Sequence, residues 1–277
     1  MLFGILESED PELTILGIKW DKSSSYRYGS REAPDAIRKA TTSLLYNSFG
    51  ENLNDLKSFW SYRDLGNIEP ESYDSLQKSV EEKVKNNYNG GIFLFLGGDH
   101  SITYTTVKAI KNVRDEEFGL IYFDAHPDLY EDYEGNRYSH ACPVRRIVED
   151  ELVSGENIIQ IGIRAATREQ IDFAKKERIK IITASQVFKR EIIHVPFTNA
   201  YISFDMDVLD PAFAPGVGNP EPGGLSTREL VEIINALDAK LVSFDIVEVN
   251  PHYDHSDITS FAAAKLIKEV LSHSMGF

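Results

Sequence analysis

The chain has 277 residues, 42% hydrophobic and 26% charged, enough for a full core without a disulfide or structural metal to hold it together. Its net charge of −15 argues against nucleic acid as a partner and suits a cationic one. A single cysteine, Cys142, excludes an intrachain disulfide and fits a reducing cytoplasm; the acidic N-terminus does not read as a signal peptide, and no apolar run approaches the ~20 residues a bilayer requires.

In chain order, residues 14–18 are apolar and read as a strand. Pro34 sits where a first helical turn would begin, over 34–38. In 75–85, Leu76, Val80 and Val84 fall four apart, the stripe of an amphipathic helix. Residues 92–96 read as a buried strand and 103–111 as the helix after it; 120–123 and 158–163 are two further strands. Thr167 with Gln170 forms a capping box before Ile171 and Phe173, and Ser226 with Glu229 forms another before Leu230, Ile233, Ile234 and Leu237. Strands are predicted over 178–182, 200–204 and 241–247, and a closing helix over 258–271.

This alternation predicts an α/β fold, a parallel sheet with helices on both faces. No repeat, low-complexity tract or linker divides the chain, so 1–277 reads as a single domain. Two long loops stand out, 128–138 and 209–224, the second with four prolines and four glycines. Each directly follows an acidic cluster, which favours a functional role.

Those clusters are Gly97-Gly98-Asp99-His100-Ser101, Asp124-Ala125-His126-Pro127-Asp128 and Ser203-Phe204-Asp205-Met206-Asp207. Each lies at the end of a predicted strand, where an open α/β sheet gathers ligands. Extended backbone would point Asp124, His126 and Asp128 to one side, and likewise Asp205 and Asp207. His100 would be a sixth ligand, above a tight turn at Gly97 and Gly98. An Asp-x-Asp alone is usually a turn; three clusters on three strand ends predict a metal site. Carboxylates outnumber imidazoles, so the donors suit manganese or magnesium. Four aspartates would balance two divalent ions, which generate hydroxide at neutral pH.

At these residues the chain resembles the ureohydrolase family, the arginases and agmatinases, and is most like agmatinases. The likeness extends over Gly17 to Arg38, Gln160-Ile161-Gly162-Ile163-Arg164, the proline- and glycine-rich loop from Asp210 to Leu225, and Asp245-Ile246-Val247-Glu248-Val249-Asn250-Pro251. The resemblance implies a three-layer α/β/α sandwich and two Mn2+ ions. It implies that His100, Asp124, Asp128 and Asp205 hold one ion, and that Asp124, His126, Asp205 and Asp207 hold the other. Asp124 and Asp205 would bridge, and Asp128 would accept a hydrogen bond from the bridging hydroxide. Glu248 matches the carboxylate for the cationic head group and His140 the proton-shuttling histidine. A guanidinium carbon is a poor electrophile, so such chemistry needs a strong nucleophile held close.

Tyr130 stands where arginases carry an asparagine for the substrate carboxylate, as it does in agmatinases, and Glu131, Asp132 and Glu134 follow it. The expected reaction is hydrolysis of agmatine to putrescine and urea, a step of polyamine biosynthesis. Arginine, guanidinobutyrate or aminopropylagmatine are alternative substrates. Arg137 or Arg164 would be the carboxylate partner if arginine were the substrate. A dimetal phosphoesterase and a non-catalytic binding protein on the same fold are the more distant alternatives. Cys142 reads as a small buried filler. The resemblance also implies a homo-oligomer, a trimer or hexamer, with no membrane or nucleic-acid partner.

Overall fold

Runs rich in branched and aromatic residues form the strands. They are β1 (Leu6–Glu7), β2 (Leu13–Ile18), β3 (Ser61–Ile68), β4 (Ile92–Leu96), β5 (Gly119–Phe123), β6 (Ile158–Ile163), β7 (Lys180–Thr183), β8 (Asn199–Asp205) and β9 (Lys240–Val247). The computed structural model describes residues 2–42, 45–189 and 194–276. The nine strands make one sheet in the order β1-β3-β2-β4-β9-β8-β5-β6-β7. Every pairing between them is parallel.

Parallel strands need crossovers, and helices supply them. On one face α1 (Ala33–Ala40) and α7 (Thr227–Ala236) both pack against α8 (Ile258–His273). Ile37, Ile234 and Leu266 join that face's core. On the other face α2 (Tyr73–Asn87), α3 (Ile102–Val113) and α4 (Pro143–Glu149) pack in turn. There the predicted stripe Leu76, Val80 and Val84 is fully buried, alongside Val107 and Ile147. Two cores separated by one sheet make the expected three-layer α/β/α sandwich. Two short helices, α5 (Arg168–Lys176) and α6 (Ala184–Phe188), flank β7. Both predicted capping boxes form. No described helix is long and apolar enough to cross a membrane.

Four elements, β1, β3, α4 and α6, carry no clear signal in the sequence. β3 reads SYRDLGNI, pairs with the two-residue β1 on its outer side, and breaks register at Gly66, where φ is +72°. A strand so close to the edge keeps polar residues, which hides its period. The strand predicted from residue 178 begins at Lys180 instead. Arg178 takes φ +61° just past the end of α5, and a left-handed residue there stops the helix.

Candidate metal centre

Four adjacent strands, β4, β9, β8 and β5, end at one place. His100 follows β4, Glu248 follows β9, Asp205 closes β8 and Asp124 follows β5. The chain crosses from β4 to β5 around the two strands that lie between them, a topological switch point.

The backbone there is not extended, contrary to the expectation from residue spacing. Asp124 to Asp128 leave the sheet in a turn, and Asp128 has φ +52°. Asp207 lies in the 3-10 turn Met206–Val208, capped by Asp205 Oδ1, which accepts from Asp207 N at 2.7 Å. Turns converge the side chains because their own carboxylates accept backbone N–H groups: His126 N donates to Asp124 Oδ1 at 2.6 Å and Ala125 N to Asp207 Oδ1 at 3.0 Å. Gly97 and Gly98 serve close approach and not left-handed backbone; a Cβ on Gly98 would collide with the Trp20 carbonyl.

His100 Nδ1 lies 3.0 Å from Asp124 Oδ2, 3.1 Å from Asp205 Oδ2 and 3.4 Å from Asp128 Oδ2. His126 Nδ1 lies 3.0 Å from Asp207 Oδ2 and 3.4 Å from Asp124 Oδ1. Two groups fit a cation: His100, Asp124 and Asp128, and Asp124, His126 and Asp207, with Asp124 common to both. Asp205 falls outside these groups and meets the first through its contact with His100.

The electrostatics of the cluster call for cations. Burial pushes Asp205 well up, and the charges of Asp207 and Asp124 add to it. Asp128 is pushed up to about 7, by burial and then by Asp124. Burial alone would raise Asp124 too, but His100 and His126 hold it below the usual carboxylate range. Its buried Oδ2 faces the His100 ring nitrogen, at 3.0 Å. Crowded, buried carboxylates are what hard divalent ions stabilise. The residues present therefore fit such ions.

Behind the ligands, His100 Nε2 lies 2.9 Å from Ser203 Oγ, and Ser203 donates to Asp245 Oδ1 at 2.6 Å. Asp245 is fully buried and also accepts from Tyr201 and Thr103. This orders the His100 ring from its far side. Tyr122, which ends its side chain among the ligands, donates to Asp128 Oδ2 at 2.7 Å.

A cavity of about 200 Å³ opens beside the cluster, lined by Asp128, Tyr130, Tyr133, His140, Asn219 and Glu248 among others. Glu248 has φ +61° and is 3% exposed. Its Oε1 accepts from His100 N at 2.9 Å and lies 3.1 Å from His140 Nδ1, while its Oε2 is buried with no partner among the described residues. Burial works to lower the pKa of His140, but the bond to Glu248 and the charges of Glu248, Asp99 and Asp128 outweigh it, to about 9. Cys142 is fully buried, and burial pushes its thiol up to about 12, away from a reactive thiolate. A larger cavity, about 370 Å³, lies at the other end of the strands by Trp60, Ile92 and Lys240, away from every cluster.

The predicted ligands, Glu248, His140 and Tyr130 thus meet at one place. Sequence reasoning missed Ser25, Tyr133, Gln170 and Asn219 on the cavity wall. It also left Tyr122, Ser203 and Asp245 without roles. Ser203 opens the third cluster, and Asp245 lies in the segment that resembles the family's substrate strand; they pair in register on β8 and β9.

The arginase family model matches residues 11–272. The agmatinase of Bacillus anthracis is 35% identical over 95% of this chain and 92% of its own length. The mitochondrial arginase 1 of Arabidopsis thaliana is 34% identical over 97% of this chain and 83% of its own. The crystal structure of the agmatine ureohydrolase of Thermoplasma volcanium superposes with a TM-score of 0.84 at 36% identity, covering 96% of this chain and 91% of that one. Fold, strand-end cluster and sequence agree: the chain belongs to the arginase family of hydrolases.

Proposed function

We propose that the chain is a dimanganese amidinohydrolase that cleaves agmatine to putrescine and urea. The observation that carries the choice of substrate is the charge of the cavity wall. Among the described residues, no lysine or arginine lines it. The two arginines expected to serve an arginine substrate, Arg164 and Arg137, are both engaged elsewhere. Arg164 donates to the carbonyls of Glu221, Gly162, Val208 and Asp207. Arg137 pairs with Glu149 at 3.0 Å. A substrate carboxylate would be left without a cation, whereas an amine tail needs none.

In this reading His100, Asp124, Asp128 and Asp205 hold one ion, and Asp124, His126, Asp205 and Asp207 the other. A bound pair supplies hydroxide at neutral pH. The open Oε2 of Glu248 accepts the N–H groups of the guanidinium, a charge-assisted bond that orients its carbon toward the ions. The bond from His140 to Oε1 steadies that carboxylate. Asp128, held by Tyr122, accepts a hydrogen bond from the nucleophile, and His140 carries the proton for the departing amine. Tyr130 and Tyr133, with ring centroids 5.7 Å apart, wall the tail. The reading includes a cytoplasmic homo-oligomer. Urea release measured side by side on agmatine, arginine, guanidinobutyrate and aminopropylagmatine tests the substrate. A clear preference for arginine would make the chain an arginase.

A further inference from the structure

Both ring nitrogens of His140 are engaged. A carboxylate can only accept, so the 3.1 Å contact between Nδ1 and Glu248 Oε1 puts a proton on Nδ1. The proton that His140 can give away is then the one on Nε2. That nitrogen faces Ser25 Oγ at 3.0 Å. The same hydroxyl accepts from Asn219 Nδ2, an obligate donor, at 3.2 Å. Ser25 Oγ is left with one acceptor site and its own O–H. When His140 is neutral, that O–H donates to Nε2. When His140 is protonated, Nε2–H donates to Oγ and the serine O–H is free to turn toward the cavity.

The three side chains climb from floor to rim. Glu248 and His140 have side chains 4% and 11% exposed, while Ser25 is exposed, and all three line one cavity. A guanidino substrate with its head on Glu248 would run its tail out toward the rim, and its substituted nitrogen, which must leave with the tail, would then sit on the side of the head where Ser25 lies. The loop that carries Ser25 is anchored at several points. Asp99 accepts from Ser23 N and Oγ at 2.9 Å and 2.8 Å. Asp21 accepts from Gly29 N at 2.8 Å, and Asn250 Nδ2 donates to the carbonyls of Arg27 and Tyr28.

We propose that the Ser25 hydroxyl relays the proton from His140 to the departing amine. The inference rests on the reading of His140 as the acid. As the C–N bond breaks, its electron pair goes to nitrogen while a lone pair on the added oxygen closes the C=O of urea, and nitrogen takes the Ser25 hydroxyl proton. Ser25 Oγ takes the proton of His140 Nε2 in the same step. The imidazole ends neutral and the serine hydroxyl is restored. Glu248, Asp99 and Asp128 are the carboxylates whose charges act on His140 throughout.

The test is single-turnover urea release from agmatine by the manganese-loaded chain, in graded mixtures of light and heavy water. Wild type should give a bowed proton inventory, because two protons move in one step. Ser25→Ala should slow the step roughly 10- to 100-fold, with half-saturation within about 3-fold of wild type and a linear inventory. Ser25→Thr keeps a hydroxyl and should restore most of the rate and the bow. Ser25→Ala at nearly wild-type rate, or slow with the wild-type bow, overturns the relay. His140→Ala at wild-type rate would remove the acid assignment and the relay with it. A slow His140→Ala beside a fast Ser25→Ala removes the relay alone.

Discussion

The rings of His100 and Tyr122 lie stacked, with centroids 4.5 Å apart and planes 5° from parallel. From that position the Tyr122 hydroxyl lies 3.0 Å from His100 Nδ1 and donates to Asp128 Oδ2 at 2.7 Å. One side chain thus braces two residues of the first candidate ion group, His100 through the stacked ring and Asp128 through the hydroxyl. Tyr122→Phe keeps the stack and removes the hydroxyl. Manganese affinity should fall by about 10- to 100-fold, the usual cost of losing an outer partner of a metal ligand. Competition with a metal-sensitive dye reads this without any activity assay; unchanged affinity would mean that the hydroxyl does not brace the ligands.

Ligands and proton carrier should separate cleanly. Asp124→Asn and Asp205→Asn should lose metal together with activity. His140→Ala should keep its metal content and its fold, and its rate should fall by roughly 10- to 10⁴-fold, the scale of general acid–base catalysis. Metal analysis of each purified variant checks this, and a His140→Ala protein without metal would refute the assignment.

Specificity should follow the cavity wall. Among the described residues no cation lines that wall, so the carboxylate of arginine would lie there unpaired, which costs several kcal/mol where it is buried. Each ~1.4 kcal/mol is tenfold. The kcat/KM for agmatine should therefore exceed that for arginine by at least about 100-fold. Equal values would require a carboxylate partner that Arg137 and Arg164, as placed, do not supply.

His140 also predicts a pH dependence of stability. Its folded pKa, about 9, lies above the ordinary value of 6.5. A raised pKa means that the folded state binds the proton more tightly. The contribution is fully present below the ordinary value and is lost as pH rises through about 9. For metal-free protein, the Tm advantage of wild type over His140→Ala should be largest in the acid part of that window and shrink across it. An advantage that grew with pH would contradict the pairing with Glu248.

Much of the site was open to reading in the amino-acid order. The strands that build it, β4, β5, β8 and β9, are mostly buried and apolar, so their runs announce themselves. His100, Asp124 and Asp205 follow or close such runs, and position along the chain becomes position in space. What stayed hidden depends on distant chain segments. Ser25 and Asn219 are far apart in sequence and meet only because two loops fold over the same strand ends. Tyr122 and Asp245 sit inside the apolar runs themselves, where a tyrosine or an aspartate reads as a core residue or an anomaly. The supposed extended geometry at Asp124 and Asp207 failed because side chains cap the backbone locally, which spacing alone does not reveal.

Asp128 and Glu248 both occupy backbone that L-residues with a Cβ resist, at about 1–2 kcal/mol each. Glycine would sit at either position more comfortably. Two of the residues proposed to do chemical work therefore carry a conformational cost of their own. Selection for heat resistance alone would weigh that backbone cost against the hydrogen bonds the two carboxylates take from Tyr122, His100 and His140. If both residues act as proposed, selection for activity has to maintain them against a standing conformational cost, and their replacement would be felt in folding as well as in chemistry.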